Sequence, residues 1–175
     1  CVCLIGFYFF KVDQVHSIVP YYYLPTIKNL QKNSLSIGKY AYQLLYFGQN
    51  EESLNLAKLA IQINKKDENL WLILSEAQIA NKLYKKALFS LDRAQKINSK
   101  NTEIYFSKSN IFLKISQLQS AKKSLENVLR IEPNNYKAIF QLGNILLMEK
   151  NYSEAIKLFD KSLKIKPDLW QAINN

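Results

Sequence analysis

The sequence predicts an all-α fold, a right-handed α-solenoid of antiparallel helix hairpins, and three observations predict it. Ala87, Ala121 and Ala155 stand 34 residues apart. Ile63, Ile97, Ile131 and Ile165 keep the same interval. Between these markers the apolar residues follow the three-then-four spacing that gathers them on one helical face. A fixed period of this length means a stack in which each unit buries its apolar face on the next.

The array divides into repeats at 34–67, 68–101, 102–135 and 136–167, with a truncated fifth at 168–175. Bulky columns alternate with small ones. Ile37, Trp71, Tyr105 and Ile139 share one column; Ala41, Ser75, Ser109 and Gly143 share another; Tyr84, Leu118 and Tyr152 form a third, and Ala57, Leu91, Leu125 and Phe159 a fourth. In the last full repeat Ile139, Leu142, Gly143 and Leu146 fall on one face of a first helix, and Ala155, Phe159, Ser162 and Ile165 on one face of a second. Turn signals separate them: Gly48 with Asn50, Ser99 with Asn101, Pro133-Asn134-Asn135, Asn151 and Pro167. The pattern predicts helices near 35–47, 51–64, 69–81, 85–97, 103–115, 119–131, 137–149 and 153–165, with Trp71, Ala87, Leu91, Leu142, Ala155 and Phe159 buried.

The combination Leu142-Gly143, Tyr152, Ala155, Phe159 and Pro167 resembles the tetratricopeptide repeat (TPR) family, and the resemblance covers roughly residues 34 to 175. It implies that a large residue of one helix packs against a small residue of its partner, as Trp71 would against Ala87 and Ala94. Three positions depart from the family pattern: Lys108 stands in the column of Leu74 and Leu142, Gln78 replaces an apolar residue, and Ser53 replaces the helix-packing alanine. Lys108 can bury its stem and keep its ammonium wet. Ser53 puts the packing of the first repeat in question. More narrowly, the order of apolar N-terminal segment, Pro-Tyr linker, Ala-Tyr-Gln-Leu-Leu-Tyr-Phe-Gly-Gln and terminal Leu-Trp-Gln-Ala-Ile-Asn-Asn resembles a group of cyanobacterial TPR proteins of unassigned role.

A second stripe runs along each first helix, rotated away from the core set: Leu72, Glu76 and Ile79, then Phe106, Asn110 and Leu113, then Phe140, Asn144 and Leu147. The family resemblance implies that first helices line a concave groove for a partner peptide. These nine residues are therefore the candidate partner-binding site. The phenylalanines would receive partner side chains, and the asparagine amides would pair with an extended backbone. Roughly half of the stripe's apolar area is expected to serve helix packing rather than recognition. The family's chaperone-tail clamp is disfavoured. Its positions hold Leu72, Glu76, Ser107, Lys137 and Gln141 in one register, and Gly38, Tyr42, Ile73, Glu103 and Ser107 in the other, and only Lys137 matches.

Residues 1–33 do not fit the repeat. Residues 1–10 are uncharged and apolar, which reads as the end of a membrane anchor or of a signal-peptide core; the alternative is an apolar strand or helix packed on the solenoid's end. A helix needs about 20 residues to span a bilayer, so an anchor would require more chain upstream. Tyr21, Tyr22 and Tyr23 between Pro20 and Pro25 suit a membrane–water boundary. The reading places the protein at a membrane or in export, otherwise in the cytoplasm. Cys1 and Cys3 lack the spacing of a zinc or redox pair. His16, the single histidine, lies in the linker without a cluster of metal-ligating residues. Glu51-Glu52 and Asp67-Glu68 sit near helix starts, where carboxylates favour the helix dipole. No catalytic residue, metal site or cofactor is expected within residues 1–175.

The net charge of +10 is spread evenly, +3 over 1–67, +3 over 68–101, +2 over 102–135 and +2 over 136–175. Only Arg93 and Arg130 are arginines, whereas base and phosphate recognition leans on the bidentate guanidinium. Nucleic acid is therefore a disfavoured partner. The stripes Lys157, Lys161, Lys164 and Arg93, Lys96, Lys100 read as solvated outer faces, with an anionic membrane surface as the rival. The chain opens on Cys1 and stops within a predicted helix, so it is expected to be part of a longer protein, with an apolar terminal edge around Leu163 open to self-association except where Trp170 and Ile173 fold back. The function expected is a protein-interaction scaffold with a protein or peptide ligand in the groove. The rivals are a recruiting arm of an enzyme whose catalytic domain lies past Asn175, and a basic module for anionic membrane or nucleic acid.

Overall fold

The computed structural model describes residues 33–167. The expectations that rest on residues 1–32 and 168–175, including the anchor, Cys1, Cys3, His16, Trp170 and Ile173, lie outside the described residues. Within them stand eight helices and no strand: α1 Ser34–Tyr46, α2 Asn50–Ile63, α3 Glu68–Ala80, α4 Tyr84–Ile97, α5 Thr102–Lys114, α6 Leu118–Ile131, α7 Tyr136–Met148 and α8 Tyr152–Ile165. They pair as four antiparallel hairpins, α1–α2, α3–α4, α5–α6 and α7–α8, stacked in chain order. No helix among the described residues is long and apolar enough to cross a membrane.

The helices begin where local chemistry satisfies their free N–H groups. Every first helix opens on an Asx residue at the repeat interval: the side chains of Asn33, Asp67, Asn101 and Asn135 accept from the backbone N–H of Leu35, Asn69, Glu103 and Ala138. Each such cap contributes about 1 kcal/mol. All eight helices start one residue before the sequence-based boundary; for the four first helices the cap column, read as a column, marks the start. Second helices start without a side-chain cap. Each follows a tight turn whose pivot lies in the left-handed region: Gly48 at φ 74°, Lys82 at 59°, Ser116 at 59° and Lys150 at 60°. The turn closes by two bonds back to the first helix, as in Lys82 N–H to Ile79 C=O and Leu83 N–H to Gln78 C=O.

Trp71, Ala87, Leu91, Leu142 and Ala155 are buried as expected. Two ring residues of one column also anchor the loop before their helix, Trp71 Nε1 donating to Lys65 C=O at 2.9 Å and Tyr105 OH to Ser99 C=O at 2.8 Å. Phe159 is a correction, being only half-buried. Its ring packs on Gly143, where an added Cβ would come within 2.5 Å of it, and lies 5.2 Å from Phe140. No helix follows α8 among the described residues to cover the other side. For the same reason Tyr152 and Ile156 are exposed, whereas Ile165 is exposed like Ile63 and Ile97 of its column and Leu163 is half-buried like Leu129.

The three departures from the family pattern are accommodated by hydrogen bonds. Ser53 is fully buried and its hydroxyl donates to Ala41 C=O at 2.7 Å, so the first repeat packs like the others. Ser90 Oγ donates to buried Gln78 Oε1 at 2.7 Å. Lys108 has a side chain only 13% exposed, and its ammonium donates to Asp92 at 2.6 Å and to Gln95. The stem is buried as expected, but the ammonium takes protein partners rather than water alone.

Candidate functional site

The stack sets first helices side by side, and at its N-terminal end α1, α3 and α5 line an open cleft of about 340 Å³. Lys39, Tyr42 and Gln43 come from α1, Asn69, Leu72, Ile73 and Glu76 from α3, and Glu103 from α5. One wall is apolar. The other carries two carboxylates from neighbouring helices. Burial raises the Glu76 carboxyl above its ordinary value, and the charge of Glu103 pushes it the same way. Neither carboxylate has an ion-pair partner among the described residues, where the ion pairs are Lys108–Asp92 and Lys122–Glu149.

The nine expected groove residues do not behave alike. Glu76 lines the cleft, and so does Leu72, which is otherwise buried in the core and offers the groove little more than an edge. Ile79, Phe106 and Leu113 are half-buried against the core. Phe140 spends one face on Phe159. Leu147 is exposed. Asn110 is exposed and Asn144 half-buried, and their amides make no hydrogen bond within the described residues. The stripe is thus architectural at its phenylalanines and free at its asparagines.

Sequence reasoning names Tyr42, Ile73 and Glu103 only as positions of the disfavoured clamp, and does not name Lys39, Gln43 or Asn69 for the groove. The signal was available: Tyr42 occupies the column of Glu76, Asn110 and Asn144, one repeat earlier. The basic stripes stay on the outside. Lys157, Lys161 and Lys164 are exposed, as are Arg93, Lys96 and Lys100. Arg93 has a further contact, its guanidinium lying 5.6 Å from the Trp71 ring. No group of three or more His, Cys, Asp or Glu able to hold a metal occurs among the described residues.

A stack of antiparallel helical hairpins defines a class, the α-solenoids. The tetratricopeptide repeat family profile matches residues 114–173, and the fold of the described residues is the TPR superhelix. Solved structures with the same fold include MamA (18% identity, 85% of this chain and 87% of that one, TM-score 0.75). A second is YrrB, described as a TPR protein with an unusual peptide-binding site (18%, 83% and 75%, TM-score 0.66). A third is the first TPR of Spaghetti (RPAP3) bound to an HSP90 peptide (21%, 69% and 95%, TM-score 0.63). No curated protein matches the chain.

Proposed function

We propose that this protein is an interaction scaffold that holds an extended segment of a partner protein along the face of its first helices. The observation that carries the reading is the pair Asn110 and Asn144, equivalent positions one repeat apart whose amides have no partner within the described residues. An extended backbone presents donors and acceptors that side-chain amides match. Peptide binding by YrrB and by the first TPR of RPAP3, proteins of the same fold, supports the reading. The clamp for a chaperone tail remains disfavoured, since Lys137 alone matches its positions.

The test replaces Asn110 and Asn144 together with alanine and measures binding of a partner recovered by pull-down. Each lost amide pairing should weaken binding by on the order of 1 kcal/mol, with helical content unchanged. Reversing Lys157, Lys161 and Lys164 to glutamate should leave affinity within about two-fold, with a shallow salt dependence. Tight binding by the asparagine variant, together with loss on lysine reversal and a steep salt slope, would replace the groove with a charge-driven surface.

A further inference from the structure

The chain carries +10, and an excess of that kind draws acidic partners to most of its surface. The cleft between α1, α3 and α5 reverses the sign. Its only cation is Lys39, whose ammonium reaches neither Glu76 nor Glu103 as an ion pair, and its remaining titratable groups are Tyr42, Glu76 and Glu103. The apolar wall of Leu72 and Ile73 and the exposed Tyr42 ring stand beside the carboxylates. Two carboxylates on one cleft, neither in an ion pair with the Lys39 that also lines it, repel each other and are stabilised by a cation placed between them. A long side chain with an aliphatic stem and a cationic head satisfies both walls at once, with the stem on Leu72, Ile73 and the Tyr42 ring and the head against Glu76 and Glu103.

We propose that this cleft is a specificity pocket for a lysine or arginine side chain of the partner segment, at the end of the groove formed by the first three repeats. The proposal rests on the groove reading above and adds which side chain the groove selects. It predicts a partner whose basic residue enters a basic protein, a choice that net charge alone forbids. Because burial and Glu103 favour the protonated form of Glu76, the pocket is worst prepared for a cation in acid; affinity therefore rises as pH increases through the carboxylate range and then levels off.

The experiment uses the full chain as bait for a library of random 12-residue peptides displayed on phage, followed by affinity measurements on synthesised winners. Three baits are compared: the natural chain, Glu76→Gln with Glu103→Gln, and Asn110→Ala with Asn144→Ala. Glutamine keeps the shape and removes a repulsion, so the melting temperature of the first variant should stay level or rise, and a folding defect would show there. Winners on the natural chain should share a lysine or arginine, and the Gln variant should bind them about ten-fold or more weakly, the scale of a lost charge-assisted pairing. Replacing that basic residue by norleucine should produce the same loss on the natural chain and little on the Gln variant. Winners that lack a basic residue, or that bind both baits equally while losing affinity to the asparagine variant, overturn the pocket and leave the groove standing. Winners indifferent to both variants overturn the groove as well.

Discussion

In α1–α4 two buried serines, Ser53 and Ser90, bond across helices while Ser75 bonds to Leu72 C=O of its own helix; in α5–α8 the buried serine hydroxyls that find a partner find it within their own helix. Ser53 reaches Ala41 C=O, Ser90 reaches Gln78, and Asn81 Nδ2 reaches Asn50 C=O at 2.8 Å, joining the second hairpin to the first. Further along the chain Ser124 and Ser162 donate to Ser120 C=O and Phe159 C=O, one turn back. There the helices are held by shape, with Leu142 and Ile145 of α7 against Leu125 and Val128 of α6 and Gly143 under the Phe159 ring. The lesson is that one hairpin geometry tolerates two kinds of interior, with most buried polar atoms partnered in each and Ser109 Oγ and Gln141 Oε1 left without a hydrogen bond among the described residues.

The two kinds meet around α5, and the buried core divides there: Ile104 and Ile111 join the first cluster, Tyr105 the second. One cluster runs from Ile37 to Ile111 and the other from Tyr105 to Ile145. Leu74 and Leu142, one column on α3 and α7, carry their junctions with apolar area; at this junction the column holds Lys108. The residue after α3 and the residue after α7, Asn81 and Glu149, tie back to the preceding second helix, Glu149 through Gln119 and Lys122. The equivalent residue after α5 is Ile115. Ser109 Oγ is buried without a partner nearby on the same helix. A cavity of about 300 Å³ opens beside Leu88, Asp92, Lys108 and Phe112. In a linear stack stability is close to a sum of repeat and neighbour-interface contributions, so a weak interface allows its two sides to open separately.

The largest test truncates one fully buried leucine on each side. Leu91→Ala and Leu125→Ala should each destabilise by about 2–5 kcal/mol. Hydrogen exchange should show the first loss concentrated in α1–α4 and the second in α5–α8. Equal loss of protection across all eight helices from either variant would mean that the core is energetically continuous despite its division.

A second, smaller test restores the missing junction. Lys108→Leu removes an ion pair between a mostly buried ammonium and exposed Asp92, and exchanging such a pair for an apolar side chain of similar volume is often neutral or stabilising by about 1–4 kcal/mol. A net gain of about 1 kcal/mol is expected, together with a sharper denaturant transition as the two sides unfold together. A loss of stability would show that the junction is built around the ammonium and its two acceptors.

The hairpins were legible because periodicity reports which faces are buried, and the array buries the same faces four times. The first-helix starts are displaced by one residue because the Asx caps Asn33, Asp67, Asn101 and Asn135 are not read as one column: Asn101 and Asn135 read as turn signals, Asp67 as a helix-start carboxylate, and Asn33 is passed over. Phe159 was expected in the core from its column, but burial at the end of a stack depends on the next unit, which the column does not record. The groove was half legible. Column position brought out Asn110, Asn144 and Glu76, whereas the pocket needs side chains from three different helices, Tyr42, Glu76 and Glu103, and their meeting depends on how one hairpin is rotated on the next. Leu72 shows the converse, a residue on the groove-facing stripe that the core takes up.

The smallest test asks whether the four turns contribute to the difference between the halves. Their pivots form a column at the repeat interval, yet only Gly48 is glycine, and Lys82, Ser116 and Lys150 hold the same left-handed conformation. A residue with a Cβ loses roughly 1–2 kcal/mol there, and glycine recovers this less about 0.5–1 kcal/mol for the freedom it has when unfolded. Lys82→Gly, Ser116→Gly and Lys150→Gly should therefore each stabilise by about 0.5–1 kcal/mol, measured by urea denaturation. The strain is local to one turn, so the gain should be similar at Lys82, before the junction, and at Ser116 and Lys150, after it. A gain at Lys82 alone would mean that the turns after the junction are relaxed by movement of the second half, and the contrast between the two interiors would then extend to their loops.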